Sequence, residues 1–295
     1  MIKKNLLYFG TPHFSAEILK HLLTLSEINV VGVVTQPDKP QGRKQTLTPS
    51  AVAQLANDHN LPVYKPQTLD QANLAHLRLL KPDITLVVSY GKIIPQSYLD
   101  LPLIGTFNLH FSLLPKYRGA LCISEAIKNQ DSTTGVTLMQ MDAKLDHGPI
   151  ISQATLPIDQ NDDVVSLTTK LTHSAKELLT EKIPEICAQS YTTFLQDESL
   201  ATFTPSHRTL TRQTAFIPFE TLQEAIQTNG SAIHALIRSL NPEPGAWTQI
   251  NGNDIKILKT ELHNNRLILS TIQQAGKSPI SWTQFLAGHS KVTAQ

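Results

Sequence analysis

Leu6 to Phe9 form a short apolar run that stops at Gly10-Thr11-Pro12. A run bounded by turn residues predicts a buried strand over residues 5–9. A helix follows, with Thr11 as its cap and Pro12 at its first position. Apolar residues then recur at Phe14, Ile18, Leu19, Leu22 and Leu23, the spacing of one helical face. Residues 28–34 are rich in β-branched side chains and predict a second strand. The alternation continues with helices over 50–59 and 70–80, strands over 62–64, 84–88, 106–109, 134–139 and 150–156, and a long helix over 164–188. Strands alternating with helices, and strands without a polar face, predict a doubly wound, mostly parallel α/β domain of Rossmann-like type covering residues 1–189.

The pattern changes near residue 189. Residues 189–215 are rich in Ser, Thr, Gln and Pro and have no clear period, so 190–204 is expected to be a linker. Residues 205–295 hold a helix near 230–240 and short strand-like runs at 247–250, 254–258, 266–270 and 281–286, split by Asn-Gly and Asn-Asn turns. A small β-rich C-terminal domain is expected there. That segment has eight Lys/Arg against five Asp/Glu, whereas the rest has seventeen against nineteen, so the mild basic excess lies in the second domain. The whole chain is at +1, which gives no global drive toward a polyanion; any nucleic-acid partner would be held by a local patch.

Two cysteines, Cys122 and Cys187, are too few and too far apart for a disulfide framework and read as buried small hydrophobes. The apolar run after Lys3 and Lys4 is too short for a secretory signal, and no stretch reaches membrane-spanning length. The expectation is a cytoplasmic protein.

The chemistry concentrates in two places. Asn108 and His110 lie two apart at a predicted strand end, so period-two geometry turns both side chains to one face. Ligand sites in open α/β sheets gather beyond such strand ends. There an amide donor beside an imidazole can stabilise an oxyanion and move a proton, although a satisfied polar pair would look the same. The second cluster, Asp142, Asp146 and His147 with Gly148, fills a tight loop between two predicted strands. A carboxylate from it could reach His110, orient the ring and favour its protonated form; an ordinary turn would also use Asp here.

Asn108-Leu-His110, Ser112-Leu-Leu-Pro115, Arg118-Gly119 and Leu145-Asp146-His-Gly148 together resemble, in order and separation, the signature of the 10-formyltetrahydrofolate-dependent formyltransferases. The resemblance implies Asn108, His110 and Asp146 as the catalytic set. It implies folate contacts from Ser112, Leu113, Leu114 and Pro115 and from Val88, Ser89, Tyr90 and Gly91. It also implies a 10-formyltetrahydrofolate donor and no metal.

Flanking segments narrow the resemblance. Phe9-Gly-Thr-Pro-His-Phe14 and Thr35-Gln-Pro-Asp-Lys-Pro-Gln-Gly-Arg43 are similar to the members that act on methionyl-tRNA. In those members the second segment is a loop that enters the acceptor stem. The implied substrate is initiator methionyl-tRNA, and Lys39, Arg43 and Lys44 are the candidate phosphate contacts. Pro37, Pro40 and Gly42 predict that this loop lacks regular structure. Residues 236–247 are similar to the start of an OB-like C-terminal domain in the same members. Rival readings are a sugar-nucleotide formyltransferase or a tRNA-binding protein without catalysis. Three departures stand out: Phe111 replaces a small residue after His110 and is expected to narrow the pocket, Leu121-Cys122 replaces Ala-Pro, and the C-terminal domain is short.

Overall fold

The computed structural model describes residues 2–42 and 44–289. In chain order the first part runs β1 (Lys4–Gly10), α1 (His13–Leu22), β2 (Ile28–Val34), β3 (Lys39–Gln41), β4 (Thr46–Thr48), α2 (Ala51–Asp58), β5 (Val63–Tyr64), α3 (Gln71–Arg78), β6 (Ile84–Val88), α4 (Gln96–Leu99) and β7 (Gly105–His110). It continues with α5 (Cys122–Lys128), β8 (Thr133–Gln140), β9 (Ile150–Pro157) and α6 (Val164–Ala188). Then come α7 (Phe219–Gln227), α8 (Ser231–Leu240), β10 (Trp247–Ile250), β11 (Asn253–His263), β12 (Arg266–Gln274), β13 (Ile280–Ser281) and α9 (Trp282–Ala287). Two compact units emerge. One comprises Met1–Ala120, Gly135–Leu156 and Thr169–Phe203; the other comprises Leu121–Thr134, Pro157–Thr168 and Thr204–Gln295.

The first unit is built on a seven-stranded sheet in the order β5-β2-β1-β6-β7-β8-β9. The pairs β2/β5, β1/β2, β1/β6 and β6/β7 are parallel, and β7/β8 is antiparallel. This is the Rossmann-like, mostly parallel sheet that the strand–helix alternation predicts. On β1, Leu6, Leu7, Tyr8 and Phe9 are all buried, so neither face of the strand meets water. Leu7 and Phe9 join Leu74 and Leu77 of α3, Tyr98 and Leu99 of α4, and Val87 in one core cluster. Burying each such side chain contributes roughly 1.5–3 kcal/mol, and this fixes the sheet register.

The chain leaves β1 toward β2 on one side and reaches β6 on the other, so the strand order reverses between β1 and β6. The crevice beyond their carboxyl ends is where open α/β sheets take ligands. Thr11 follows β1 here, and its hydroxyl does not cap α1 as expected. It donates to the Tyr90 carbonyl beyond β6 at 3.0 Å, leaving Pro12 at the cap position without a side-chain bond.

Three other local expectations are corrected. The segment containing Pro37, Pro40 and Gly42 is not irregular: β3 and β4 pair as a two-stranded ribbon, with Pro40 opposite Leu47 and Gly42 at φ +68° in the turn. An edge position tolerates a proline because no ladder donor is required there. Residues 281–286 are not a strand. Ser281 accepts from the backbone N–H of Gln284 at 3.2 Å, while the Gln284 side chain accepts from the Ser281 N–H at 3.0 Å. This reciprocal capping box starts α9 despite the β-forming Trp282 and Phe285. The expected linker is not loose either: residues 190–203 belong to the first unit.

In the second unit, β10-β11-β12-β13 form a four-stranded antiparallel sheet. Ile257, Leu267 and Leu269 pack with Leu222 of α7 and Ile237 and Leu240 of α8. Trp247 and Trp282 are partly buried against the same cluster. Among the described residues no helix is long and apolar enough to cross a membrane. Neither cysteine is in a disulfide; Cys122 is buried, and partial burial pushes the Cys187 thiol up to about 11.

Candidate active site

β7 carries two of the expected groups. It pairs with β6 through Val87↔Asn108 and with β8 through Asn108↔Met139 and His110↔Thr137. These neighbours leave both polar side chains largely buried, at 8% exposure for Asn108 and 7% for His110. Buried polar groups need partners, and those come from the loops beyond the strands.

Asp146 lies in the loop joining β8 to β9. It adopts φ +46°, a left-handed conformation that Asp tolerates better than most residues. The loop is drawn tight. The backbone N–H of Gln140 donates to the Pro149 carbonyl at 2.9 Å, and a Cβ on Gly148 would lie 1.9 Å from the Gln140 carbonyl oxygen. This close approach requires glycine at 148. The resulting turn aims the Asp146 carboxylate at β7.

The amide, the imidazole and the carboxylate meet. Asn108 Nδ2 donates to Asp146 Oδ1 at 3.3 Å, and the Gly119 backbone N–H donates to Asp146 Oδ2 at 2.8 Å. His110 Nδ1 stands 3.7 Å from Oδ2, too long for a hydrogen bond but inside ion-pair range. Because a carboxylate only accepts, the Asn108 amide nitrogen must face it, which leaves one of the two amide hydrogens uncommitted. His110 Nε2 lies 2.9 Å from the Tyr117 carbonyl oxygen. A carbonyl also only accepts, so Nε2 carries a hydrogen, and Nδ1 is the ring nitrogen that faces Asp146. Asn108, His110 and Asp146 thus form one polar cluster in which the carboxylate is shared.

The Ser112–Pro115 segment is tied to Thr137 of β8. Ser112 Oγ donates to the Lys116 carbonyl at 2.6 Å, Thr137 Oγ1 donates to the Ser112 carbonyl at 2.6 Å, and the Leu114 N–H donates to Thr137 Oγ1 at 3.1 Å. Leu114–Pro115 is a cis peptide. Ser112 and Leu114 are buried, while Leu113 and Pro115 are half-exposed. In the 88–91 segment, Val88 and Tyr90 are buried and Ser89 and Gly91 are exposed, at φ +51° and +83°. Tyr90 packs edge-on against Phe9, and burial pushes its phenol up to about 12. A cleft of about 310 Å³ lies beside this segment, lined by Thr11, Pro12, Gln36, Lys39, Pro49 and Ser50 among others. Gln36 joins the two, since its Nε2 donates to the Tyr90 carbonyl at 2.8 Å.

Lys39 and Lys44 are exposed, Lys39 on β3 and Lys44 in the turn after it. Arg43 lies outside the described residues. Phe111 is 3% exposed, and its ring packs on Phe14 with centroids 4.9 Å apart. Among the described residues no group of three or more His, Cys, Asp and Glu is placed to hold a metal ion.

Sequence reasoning missed the wall of this site. Residues 194–203 run as a strap over both loops. Phe194 exchanges two 2.9 Å backbone bonds with Ile150, and Tyr117 and Arg118 donate their backbone N–H groups to the Thr202 hydroxyl and carbonyl, both at 2.8 Å. The Arg118 side chain is 2% exposed and forks between Glu198, at 2.6 and 3.0 Å, and Gln196 Oε1, at 2.8 and 3.2 Å. These guanidinium bonds hold the Glu198 carboxyl below its usual range. His147 contacts Asp142 through Nδ1 and lies 3.6 Å from Glu198 through Nε2. Arg118 sits inside the signature, but nothing local marks its partners, about eighty residues away in a stretch without periodicity.

With the geometry in place, comparison with known proteins becomes decisive. A model described as formyl transferase matches residues 3–183, and one described as formyl transferase C-terminal domain matches 226–268. A methionyl-tRNA formyltransferase of Dictyoglomus thermophilum is 35% identical, with 97% of each chain covered. One from Stutzerimonas stutzeri is 39% identical, over 94% of this chain and 85% of the relative. The chain belongs to the methionyl-tRNA formyltransferase family. Solved structures bear out the formyltransferase fold beyond close relatives. An N-formyltransferase from Helicobacter canadensis, solved with folinic acid and dTDP-3-aminofucose, has a TM-score of 0.64 at 23% identity, over 89% of each chain. A 4-N formyltransferase from Francisella tularensis has a TM-score of 0.67 at 18% identity, over 88% of this chain and 98% of its own. Asn108, His110 and Asp146 all fall inside the matched residues 3–183.

Proposed function

We propose that this protein transfers the formyl group of 10-formyltetrahydrofolate to the α-amino group of methionine on initiator tRNA, in the cytoplasm. The observation that carries the reading is the shared carboxylate: Asn108, His110 and Gly119 all converge on Asp146. A catalyst of formyl transfer must meet charge building on the formyl oxygen and move one proton. The methionyl nitrogen forms a bond to the formyl carbon, the bond from that carbon to the folate nitrogen breaks, the amine loses a proton and the folate nitrogen gains one.

The residues divide these tasks by chemistry. The uncommitted Asn108 amide hydrogen supplies the oxyanion donor, worth on the order of 3 kcal/mol in the barrier when preorganised. Asp146 faces the ring of His110 at ion-pair distance and takes part in the proton relay, with the imidazole bearing the charge as it passes. To reach substrate through Nε2, His110 must exchange the Tyr117 carbonyl for a substrate atom.

Folate contact would come from the exposed positions. Ser89 and Gly91 expose backbone in left-handed geometry, and Leu113 and Pro115 are half-exposed, whereas Val88, Tyr90, Ser112 and Leu114 would shape the slot from behind. Lys39, Arg43 and Lys44 would meet acceptor-stem phosphates, a role that the exposure of Lys39 on the ribbon and of Lys44 in its turn suits. The test uses purified protein, 10-formyltetrahydrofolate and methionyl initiator tRNA, with elongator methionyl-tRNA and an amino-sugar nucleotide as alternative acceptors. Formylation confined to the initiator tRNA is expected; turnover of the sugar nucleotide instead would overturn the substrate assignment.

A further inference from the structure

Gln196 is 50 residues from Asp146 in the chain, yet it holds the backbone that presents it. Its Nε2 donates to the Asp146 carbonyl at 2.9 Å and to the Gly148 carbonyl at 2.8 Å. These are the two carbonyls on either side of His147, so one amide group spans the turn that aims the carboxylate. The Gln196 Oε1 is fixed in turn by the Arg118 Nε and Nη2 hydrogens at 3.2 and 2.8 Å. Arg118 precedes Gly119, whose N–H is bound to Asp146 Oδ2 at 2.8 Å. The contacts close a ring: Asp146 carboxylate, Gly119, Arg118, Gln196, Asp146 carbonyl.

We propose that Gln196 is a positioning residue for formyl transfer, setting the height of the Asp146 carboxylate between Asn108 and His110. The inference rests on the reading of those three residues as the reacting set. Physically, Asp146 sits at φ +46°, a conformation that the loop keeps only where its neighbours hold it. A donor amide with two hydrogens on two carbonyls, itself oriented by a guanidinium, supplies that hold with no freedom to flip. If Gln196 loses its grip, the loop still closes through Gln140 and Pro149, but the carboxylate is free to leave the strand end. The apparent linker therefore acts as part of the catalytic wall.

Gln196→Glu isolates this role. The side chain keeps its length and still offers oxygen to Arg118, but it presents an oxygen instead of N–H groups to the two loop carbonyls. Two readouts are taken. In steady-state formyl transfer, kcat is expected to fall at least about 30-fold while KM for the folate and for the tRNA stays within about threefold, the signature of an interaction made in the transition state. In hydrogen exchange on the free protein, protection of the Gly119 amide, which depends on where Asp146 Oδ2 stands, is expected to fall at least about tenfold. Near-normal kcat in a variant that melts like the wild type would overturn the inference, as would unchanged Gly119 protection. If the Glu variant does not fold, Gln196→Met, of similar length and without donors, is read in the same way. Should the wild type fail to formylate methionyl-tRNA, the functional reading falls. The Gly119 exchange then still decides by itself whether Gln196 positions Asp146.

Discussion

Gly119 donates its backbone N–H to Oδ2 of Asp146 at 2.8 Å, joining the loop after β7 to the loop after β8. That bond makes one carboxylate the meeting point of an amide, an imidazole and a backbone donor. Each disturbance of the cluster then has a distinct expected signature.

Asn108→Ala removes the amide that faces Asp146. Formyl-transfer kcat is expected to fall about 100- to 1,000-fold, with folate affinity within a few fold, because the lost donor acts on charge that develops only in the transition state. Single-turnover rates together with equilibrium folate binding check this. An equal loss in binding would place Asn108 in ground-state recognition instead.

His110→Ala is expected to reduce turnover by about 100- to 10,000-fold, the range for a positioned proton-transfer group. Melting temperature should change little beyond the loss of the Tyr117 contact. Near-normal turnover would move the proton step to another residue.

Gly148→Ala places a methyl group 1.9 Å from the Gln140 carbonyl oxygen. Backbone has to give way, so stability is expected to drop by about 2 kcal/mol or more, and activity should fall as Asp146 is displaced. Urea denaturation and kcat measured on the same preparation test both halves. A variant with wild-type stability would show that the turn is slack.

Lys39→Ala and Arg43→Ala should each raise KM for tRNA several-fold and leave folate binding intact. Each lost phosphate contact is expected to reduce the slope of log affinity against log salt by about 1. Unchanged kinetics with tRNA would remove the ribbon from the acceptor interface.

His234, on α8, is expected to make the second unit acid-sensitive. It is 1% exposed, with Nε2 3.0 Å from the Gln160 carbonyl and Nδ1 2.8 Å from the Thr260 hydroxyl. Burial lowers its pKa below 6.5, helped by the charge of Arg238 and opposed by the Gln160 bond and Glu261. The unfolded chain then takes up a proton before the folded one does. Stability from this group is intact above about pH 6.5 and is lost as pH falls through the lower folded value. Thermal melts across that window should show a decline that His234→Gln flattens. A decline of the same size in the variant would assign the sensitivity to other groups.

Much of this was legible in the sequence because it is local. The period of apolar residues sets strand or helix through backbone geometry alone, and it placed β6 and α6 at their observed bounds. Asn108 and His110 share a face because strand side chains repeat every two residues. The misread stretches had conflicting local signals. Trp282 and Phe285 favour a strand, but the Ser281–Gln284 capping box satisfies the backbone donors that begin a helix. Pro40 argues against pairing, but the ribbon offers it an edge.

The sequence by itself determined the alternating architecture, the family and the identity of the three polar groups, since all of these are written in residue type and short-range spacing. Only the tertiary structure decided that Asp146 serves Asn108, His110 and Gly119 at once, and that residues 194–203 form the wall behind it. Those contacts join segments 27 to 85 residues apart. Hydrogen-bond geometry at such separations depends on how the whole sheet and its loops close, and no periodicity along the chain records it.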